Sequence, residues 1–115
     1  MQPFDATFLD SLHEGVQVIS PEWRYLYVNE TVAKQGRSTR DRLLGRTMMD
    51  CYPGVEETPI FAQLRECMER REPRSMLSEY RFPDDSVGWF DLRMEPVPQG
   101  VVILSVDVTE SRRVE

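Results

Sequence analysis

The segment Val101-Val102-Ile103-Leu104-Ser105-Val106-Asp107-Val108 constrains this chain more than any other, because it is apolar on both faces except at Ser105 and Asp107. Successive side chains of a strand point to opposite sides of a sheet. A strand apolar on both sides belongs in the middle of a sheet that is covered on both faces. The rest of the chain must supply neighbouring strands and a covering layer. At 115 residues there is room for one such arrangement and one modest core, in a single domain over 1–115.

The neighbours are readable. Val16 to Ser20 and Arg24 to Val28 alternate around a Pro21-Glu22 turn, which predicts an early hairpin. Met76 to Phe82 and Val87 to Glu95 predict two more strands, joined by Pro83-Asp84-Asp85-Ser86. Between the two pairs lie helical signals. Asn29 suits the N-cap of a short helix over Glu30 to Lys34, which Gly36 ends. Ser38, Thr39 and Asp41 open a turn carrying Leu43 and Leu44, and Thr47 to Tyr52 is another short piece stopped by Pro53-Gly54. Thr58 followed by Pro59 starts the longest helix, with Ile60, Phe61, Leu64, Cys67 and Met68 on one face and Pro73 at its end. A further amphipathic stretch, Phe4 to His13, opens the chain. The class is α+β: a five-stranded antiparallel sheet with short helices on one face and an amino-terminal helix over 4–14. The core spans about 15–108, and 109–115 begins a following helix.

Composition excludes several functions. A net charge of −6 argues against a nucleic-acid partner, whose binding rests on neutralising phosphates. The arginines at 37, 40, 42 and 46, and those at 70, 71 and 74, are interleaved with acidic residues and read as solvated faces. No apolar run approaches the ~18–20 residues of a membrane span, and residues 1–10 carry no basic stretch ahead of an apolar one, so no direct membrane insertion is expected. Cys51 and Cys67 stand at no metal-ligand spacing and are too few for a disulfide framework, which suggests a reducing, cytoplasmic setting. There is no glycine-rich phosphate loop and no HExxH, and the single histidine is His13. An enzyme is therefore not expected.

Four short segments give a more specific reading. Tyr27-Val28-Asn29 resembles the strand-to-helix junction of PAS domains. Leu43-Leu44-Gly45-Arg46 resembles their "LLGR" turn. Trp89-Phe90-Asp91-Leu92-Arg93 followed by Pro96 is similar to a late strand of the PAS subgroup common in bacterial sensor histidine kinases. Asp107-Val108-Thr109-Glu110 resembles the "DIT-E" tetrad that closes such domains. Together they cover about residues 5 to 112 in the order that the PAS fold requires. The resemblance implies a sensory module of a bacterial two-component signal-transduction protein, relaying its state through Asp107 and Thr109 to a covalently linked output domain. Physical chemistry adds that a carboxylate such as Asp107, at the end of a central strand, needs a partner, either backbone N–H groups at the next helix start or an arginine.

Alternation places Phe90, Leu92 and Met94 on one face of their strand, with Trp89, Asp91 and Arg93 on the other. Tyr80 and Phe82 should join the first set. The family's register adds Gln17, Ile19, Ile103 and Ser105, and Met48, Tyr52, Phe61, Leu64 and Met68 complete the pocket that the resemblance implies. Gln17 and Ser105 would be the polar groups that orient a small organic ligand. The alternative is an ordinary core in which those two bond to backbone. The family's haem-binding members use a histidine on the long helix, and Thr58 to Glu72 has none, so histidine-ligated haem is disfavoured. Its adduct-forming flavin members place a cysteine where this chain has Met48, which disfavours that chemistry; which cofactor, if any, is bound stays open.

The opposite stripe of Val16, Val18, Val102, Leu104 and Val106 also needs cover. The first helix, through Phe8, Leu9 and Leu12, is the natural source, from its own chain or from a partner's, and a homodimer using Phe8, Leu9, Leu12, Val102 and Leu104 is expected. Two other readings stay open: a small standalone α+β enzyme with a cone-like fold, using Tyr80 or Asp50 for acid/base work, and a ligand-free interaction scaffold.

Overall fold

Five strands, each antiparallel to its neighbours, form one sheet: β1 (Gly15–Ile19), β2 (Tyr25–Val28), β3 (Arg74–Arg81), β4 (Val87–Val97) and β5 (Gly100–Asp107). Their spatial order is β2-β1-β5-β4-β3, so β5 is the central strand. The computed structural model describes residues 14–110. Nearly all of the expected amino-terminal helix, including Phe8, Leu9 and Leu12, lies outside those residues, as does the chain beyond Glu110. Between β2 and β3 come α1 (Glu30–Gln35), α2 (Arg40–Leu43), α3 (Met48–Cys51), a 3-10 turn at Val55–Glu57 and α4 (Pro59–Arg70). No helix among the described residues is long and apolar enough to cross a membrane.

The central strand is buried on both sides, as its composition demands. Val101 and Ile103 join the inner cluster with the α4 residues Phe61, Leu64, Cys67 and Met68, while Val102 joins Val16 and Val18 in an outer cluster flanked by Tyr27, Val97 and Leu104. Val106 departs from this pattern and is exposed. Asp107 is exposed too, not buried as its central strand implied. The reason is register: β1 ends its pairing at Gly15↔Ser105, so among the described residues the strand beyond Ser105 is paired only with β4.

Local chemistry explains the joints. Asn29 is fully buried and caps α1, its Oδ1 accepting from the Val32 and Val16 amides while its Nδ2 donates to the Glu14 carbonyl. One side chain thus starts a helix and ties it to the first strand. Thr58 caps α4, accepting from the Phe61 amide, with Pro59 in the first turn. The helix ends at Arg71 in the left-handed region (φ 56), earlier than Pro73, and the Arg71 guanidinium donates to the carbonyls of Val97 and Gly100. β3 starts at Arg74, two residues before the expected Met76, and β4 continues to Val97, past the expected Glu95. Pro96 is tolerated because it lies past the last β3 pairing, Arg74↔Met94, where β4 has become an edge. The turn back is two residues long, and Gly100 is required there: a Cβ would stand 1.9 Å from the Ile19 carbonyl oxygen.

The edge of β2 is covered rather than open. The Tyr25 amide donates to the Arg46 carbonyl, the Gly45 amide donates to the Tyr25 carbonyl, and the Met48 amide donates to the Trp23 carbonyl. Gly45 (φ 80) supplies the turn that lets the segment between α2 and α3 dock along the strand.

Candidate functional site

Most of the apolar residues expected to line a pocket are packed into the core. Ile19, Leu64 and Met94 have no exposed surface, Phe61 and Ile103 retain 2%, and Met48, Met68, Phe82, Phe90 and Leu92 are buried in the same cluster. Trp23 packs on Phe61 with ring centroids 4.7 Å apart. Gly88 is glycine because a Cβ would come within 2.9 Å of the Phe90 ring and 3.1 Å of the Phe82 ring. Ser105 is buried and bonded to a side chain rather than to backbone. Its hydroxyl donates to Gln35 Oε1 at 2.5 Å, and Gln35 Nε2 donates to the Ser105 carbonyl at 3.2 Å. Gly15 makes room for that pair, since a Cβ would sit 2.4 Å from Ser105 Oγ. Gln17 lies on the inner face opposite Ile103, half-buried.

Open space occurs elsewhere, in a cleft of about 470 Å³ between the α1–α2 loop, α2, α3 and the β3–β4 hairpin. Two of the expected residues line it, Tyr52 and Tyr80. They are joined by Gly36, Arg37, Ser38, Arg42, Leu43, Arg46, Asp50, Cys51, Pro83 and Asp84. The volume falls within the roughly 300–1,000 Å³ of small-molecule sites. From the sequence these arginines read as solvated faces, whereas the structure brings three of them, Arg37, Arg42 and Arg46, to the cleft. Their one signal is clustering, four arginines within the ten residues 37–46, a stretch punctuated by Gly36 and Gly45.

Each lining group has a local cause. Arg37 follows Gly36 in the left-handed region (φ 54), which turns its guanidinium toward the hairpin. There it donates to Asp84 and to Ser86 Oγ, each at 3.0 Å, and lies 3.8 Å over the Phe82 ring. This clamp joins the two walls of the cleft. Arg42 lies on α2, and Arg46 follows the Gly45 turn, donating to the Arg42 carbonyl at 3.4 Å. Thr47 caps α3 by accepting from the Asp50 amide at 3.1 Å. Gly36 leaves space for Tyr52, whose hydroxyl would stand 3.2 Å from a Cβ there.

The cleft combines aromatic side chains, Tyr52 and Tyr80, with a charged rim. Burial pushes the Tyr52 phenol above its ordinary value, and Tyr80 and Cys51 add to the effect. It stays a neutral donor and acceptor at physiological pH. Burial also raises the Cys51 thiol, with Arg46 opposing and Asp50 reinforcing, so it is not an activated thiolate; its Sγ donates to the Arg42 carbonyl at 3.6 Å. Asp84 is held at about 2 by the Ser86 hydroxyl first, then the Ser86 amide and Arg37. Three arginines therefore face two carboxylates, Asp50 and Asp84, and Arg37 with Asp84 forms an ion pair. No group of three or more metal-binding side chains gathers among the described residues.

The cleft lies close to the carboxyl end of β5. Tyr80 pairs with Gly88, and the next residue, Trp89, donates its amide to Thr109 Oγ1 at 3.0 Å and accepts from the Val108 amide at 2.8 Å. Asp107 Oδ1 in turn accepts from the Thr109 amide at 3.0 Å and from its hydroxyl at 2.5 Å. Of the two partners expected for Asp107, the backbone at the next helix start is present among the described residues. Helical backbone begins at Thr109.

A family model described as "PAS fold" matches residues 9–113. Among solved structures, the PAS domain of a protein from Colwellia psychrerythraea superposes with a TM-score of 0.73 at 13% identity, over 91% of this chain and 94% of that one. A PAS domain from a two-component sensor histidine kinase superposes at 0.65 and 13% identity, over 89% and 91%. The PAS domain of Bordetella pertussis BvgS superposes at 0.68 and 20% identity, over 94% and 82%. No curated protein matches by sequence.

Proposed function

Because this chain belongs to the PAS-fold family, we propose that it is the sensory module of a bacterial signal-transduction protein, a histidine kinase by preference, working in the cytoplasm without catalytic activity of its own. The cleft bounded by Tyr52 and Tyr80 takes a small organic ligand. Its occupancy biases the β3–β4 hairpin, and the bias reaches the output domain through Trp89, Thr109 and Asp107. The observation that supports this reading is the short path from Tyr80, through the paired Gly88 and the adjacent Trp89, to the Thr109 hydroxyl. A ligand shifts such an equilibrium only by its differential affinity for the two arrangements, so the hairpin must differ between them. The histidine-kinase preference draws on the likeness to a sensor-kinase domain.

Self-association is part of the same proposal. Leu77, Asp91 and Val106 are in register across β3, β4 and β5, on the outer face, where Leu77 and Val106 are exposed. Sedimentation of the unmodified domain should show a dimer that Leu77→Glu with Val106→Glu dissociates.

The test of the relay combines native mass spectrometry of freshly purified protein with amide spectra. A bound small molecule that shifts Tyr80 should also shift Trp89 and Thr109. Shifts confined to Tyr52 and Tyr80 would remove the relay.

A further inference from the structure

We infer that the cleft takes a small, singly charged organic anion, its acid group against Arg42 and Arg46 and a flat body against Tyr52 and Tyr80. This rests on reading the cleft as the ligand site and names the ligand's class. The first observation is how the cations are committed. Arg37 is engaged by Asp84, Ser86 and Phe82. Elsewhere Arg40 meets Glu30, Arg70 and Arg74 meet Glu66, and Arg71 binds two carbonyls. Arg42 and Arg46 line the same cleft without an ion pair among the described residues, and Arg46 gives one N–H to the Arg42 carbonyl, which leaves the rest of its fork for a ligand. A planar guanidinium without a carboxylate, beside a cavity, is suited to bind an anion through two parallel N–H donors.

The remaining lining narrows the class. Tyr52, Tyr80 and Leu43 present ring and aliphatic surface together with two phenolic hydroxyls, which suits an organic body better than a bare inorganic ion. Asp50 and Asp84 stand on the rim, and Asp84 keeps its charge to about pH 2. A second negative charge on the ligand would meet them, and like charges are disfavoured at short range. One acid group is favoured over two.

The experiment titrates the full 115-residue chain, followed by amide correlation spectra, with 4-hydroxybenzoate, its neutral amide 4-hydroxybenzamide, and inorganic phosphate. The acid should shift Arg42, Arg46, Tyr52 and Tyr80 saturably and bind about tenfold or more tightly than the amide, the size of one lost charge-assisted hydrogen bond. Arg42→Gln with Arg46→Gln should abolish that advantage while the variant keeps a cooperative melting transition. An amide that binds as well as the acid, or an acid indifferent to the double substitution, overturns the anion class and leaves the cleft as a ligand site. Phosphate binding as tightly as the aromatic acid overturns the organic body. If neither aromatic probe shifts Tyr52 and Tyr80, the cleft reading itself fails.

Discussion

The amide of Trp89, at the start of the fourth strand, donates to the hydroxyl of Thr109, just past the end of the fifth, across 3.0 Å. That bond, with the Val108-to-Trp89 bond beside it, continues the pairing of β4 and β5 beyond Asp107 and sets where the following helix departs. Thr109→Val keeps the side-chain shape and removes the acceptor. It should cost about 1–2 kcal/mol, the range for leaving a partly buried donor unsatisfied. Faster hydrogen exchange at the Trp89 amide, with a modestly lower urea midpoint, checks it.

The Asn29 side chain bonds to the Val16 and Val32 amides and to the Glu14 carbonyl from a fully buried position. Asn29→Ala removes them all and should destabilise by about 2–3 kcal/mol, combining a lost N-cap with buried groups left unpaired. Asn29→Asp keeps both acceptor contacts and loses the donor to Glu14, while burying a charge. Urea unfolding of both variants should show each destabilised. An unchanged midpoint for Asn29→Ala would remove Asn29 from its place as the bracket between β1 and α1.

Leu92 and Arg93 are neighbours on opposite faces of β4, one buried and one exposed. Leu92→Ala, and Phe90→Ala two residues before it, should each cost about 2–5 kcal/mol by opening a cavity in a packed core. Arg93→Ala should stay within about 0.5 kcal/mol. Urea midpoints measured on the three variants decide the register.

Asp84 titrates below the ordinary 3.8, at about 2, and the Ser86 hydroxyl is the leading cause. Its folded value is depressed, so its contribution to stability is present above the ordinary value and is lost as pH falls through about 2. Carboxyl titration followed by NMR should show Ser86→Ala raising the Asp84 value more than Arg37→Gln does. The reverse order would assign the clamp chiefly to the ion pair, which at 50% and 62% side-chain exposure is well screened by water.

Several features were legible before the fold was known because their causes are local. Asn29 and Thr58 are caps whose partners lie three residues away, so the spacing alone identifies them. The alternation of Phe90, Leu92 and Met94 assigned a face without reference to any neighbour. Strand limits were less legible. Whether β4 passes Pro96 depends on where β3 stops pairing, and Arg74 is more than twenty residues away in the chain. The exposure of Asp107 likewise follows from the length of β1, not from any property of β5.

By itself the sequence determined the class of fold: a strand apolar on both faces requires a central position, and caps, turns and periodicity place the other elements around it. Only the tertiary structure decided where space remains. Phe61, Leu64, Met94 and Ile103 carry side chains suited equally to a core or to a pocket wall, and which they become depends on whether their summed volumes fill the gap between helices and sheet. They fill it. The opening falls instead where Gly36 and Gly45 turn the chain and Arg37, Arg42 and Arg46 meet Tyr80 and Asp84 from some forty residues along the chain. Spacing along a chain carries no record of such a meeting, because long-range contacts arise from packing rather than from local backbone preference.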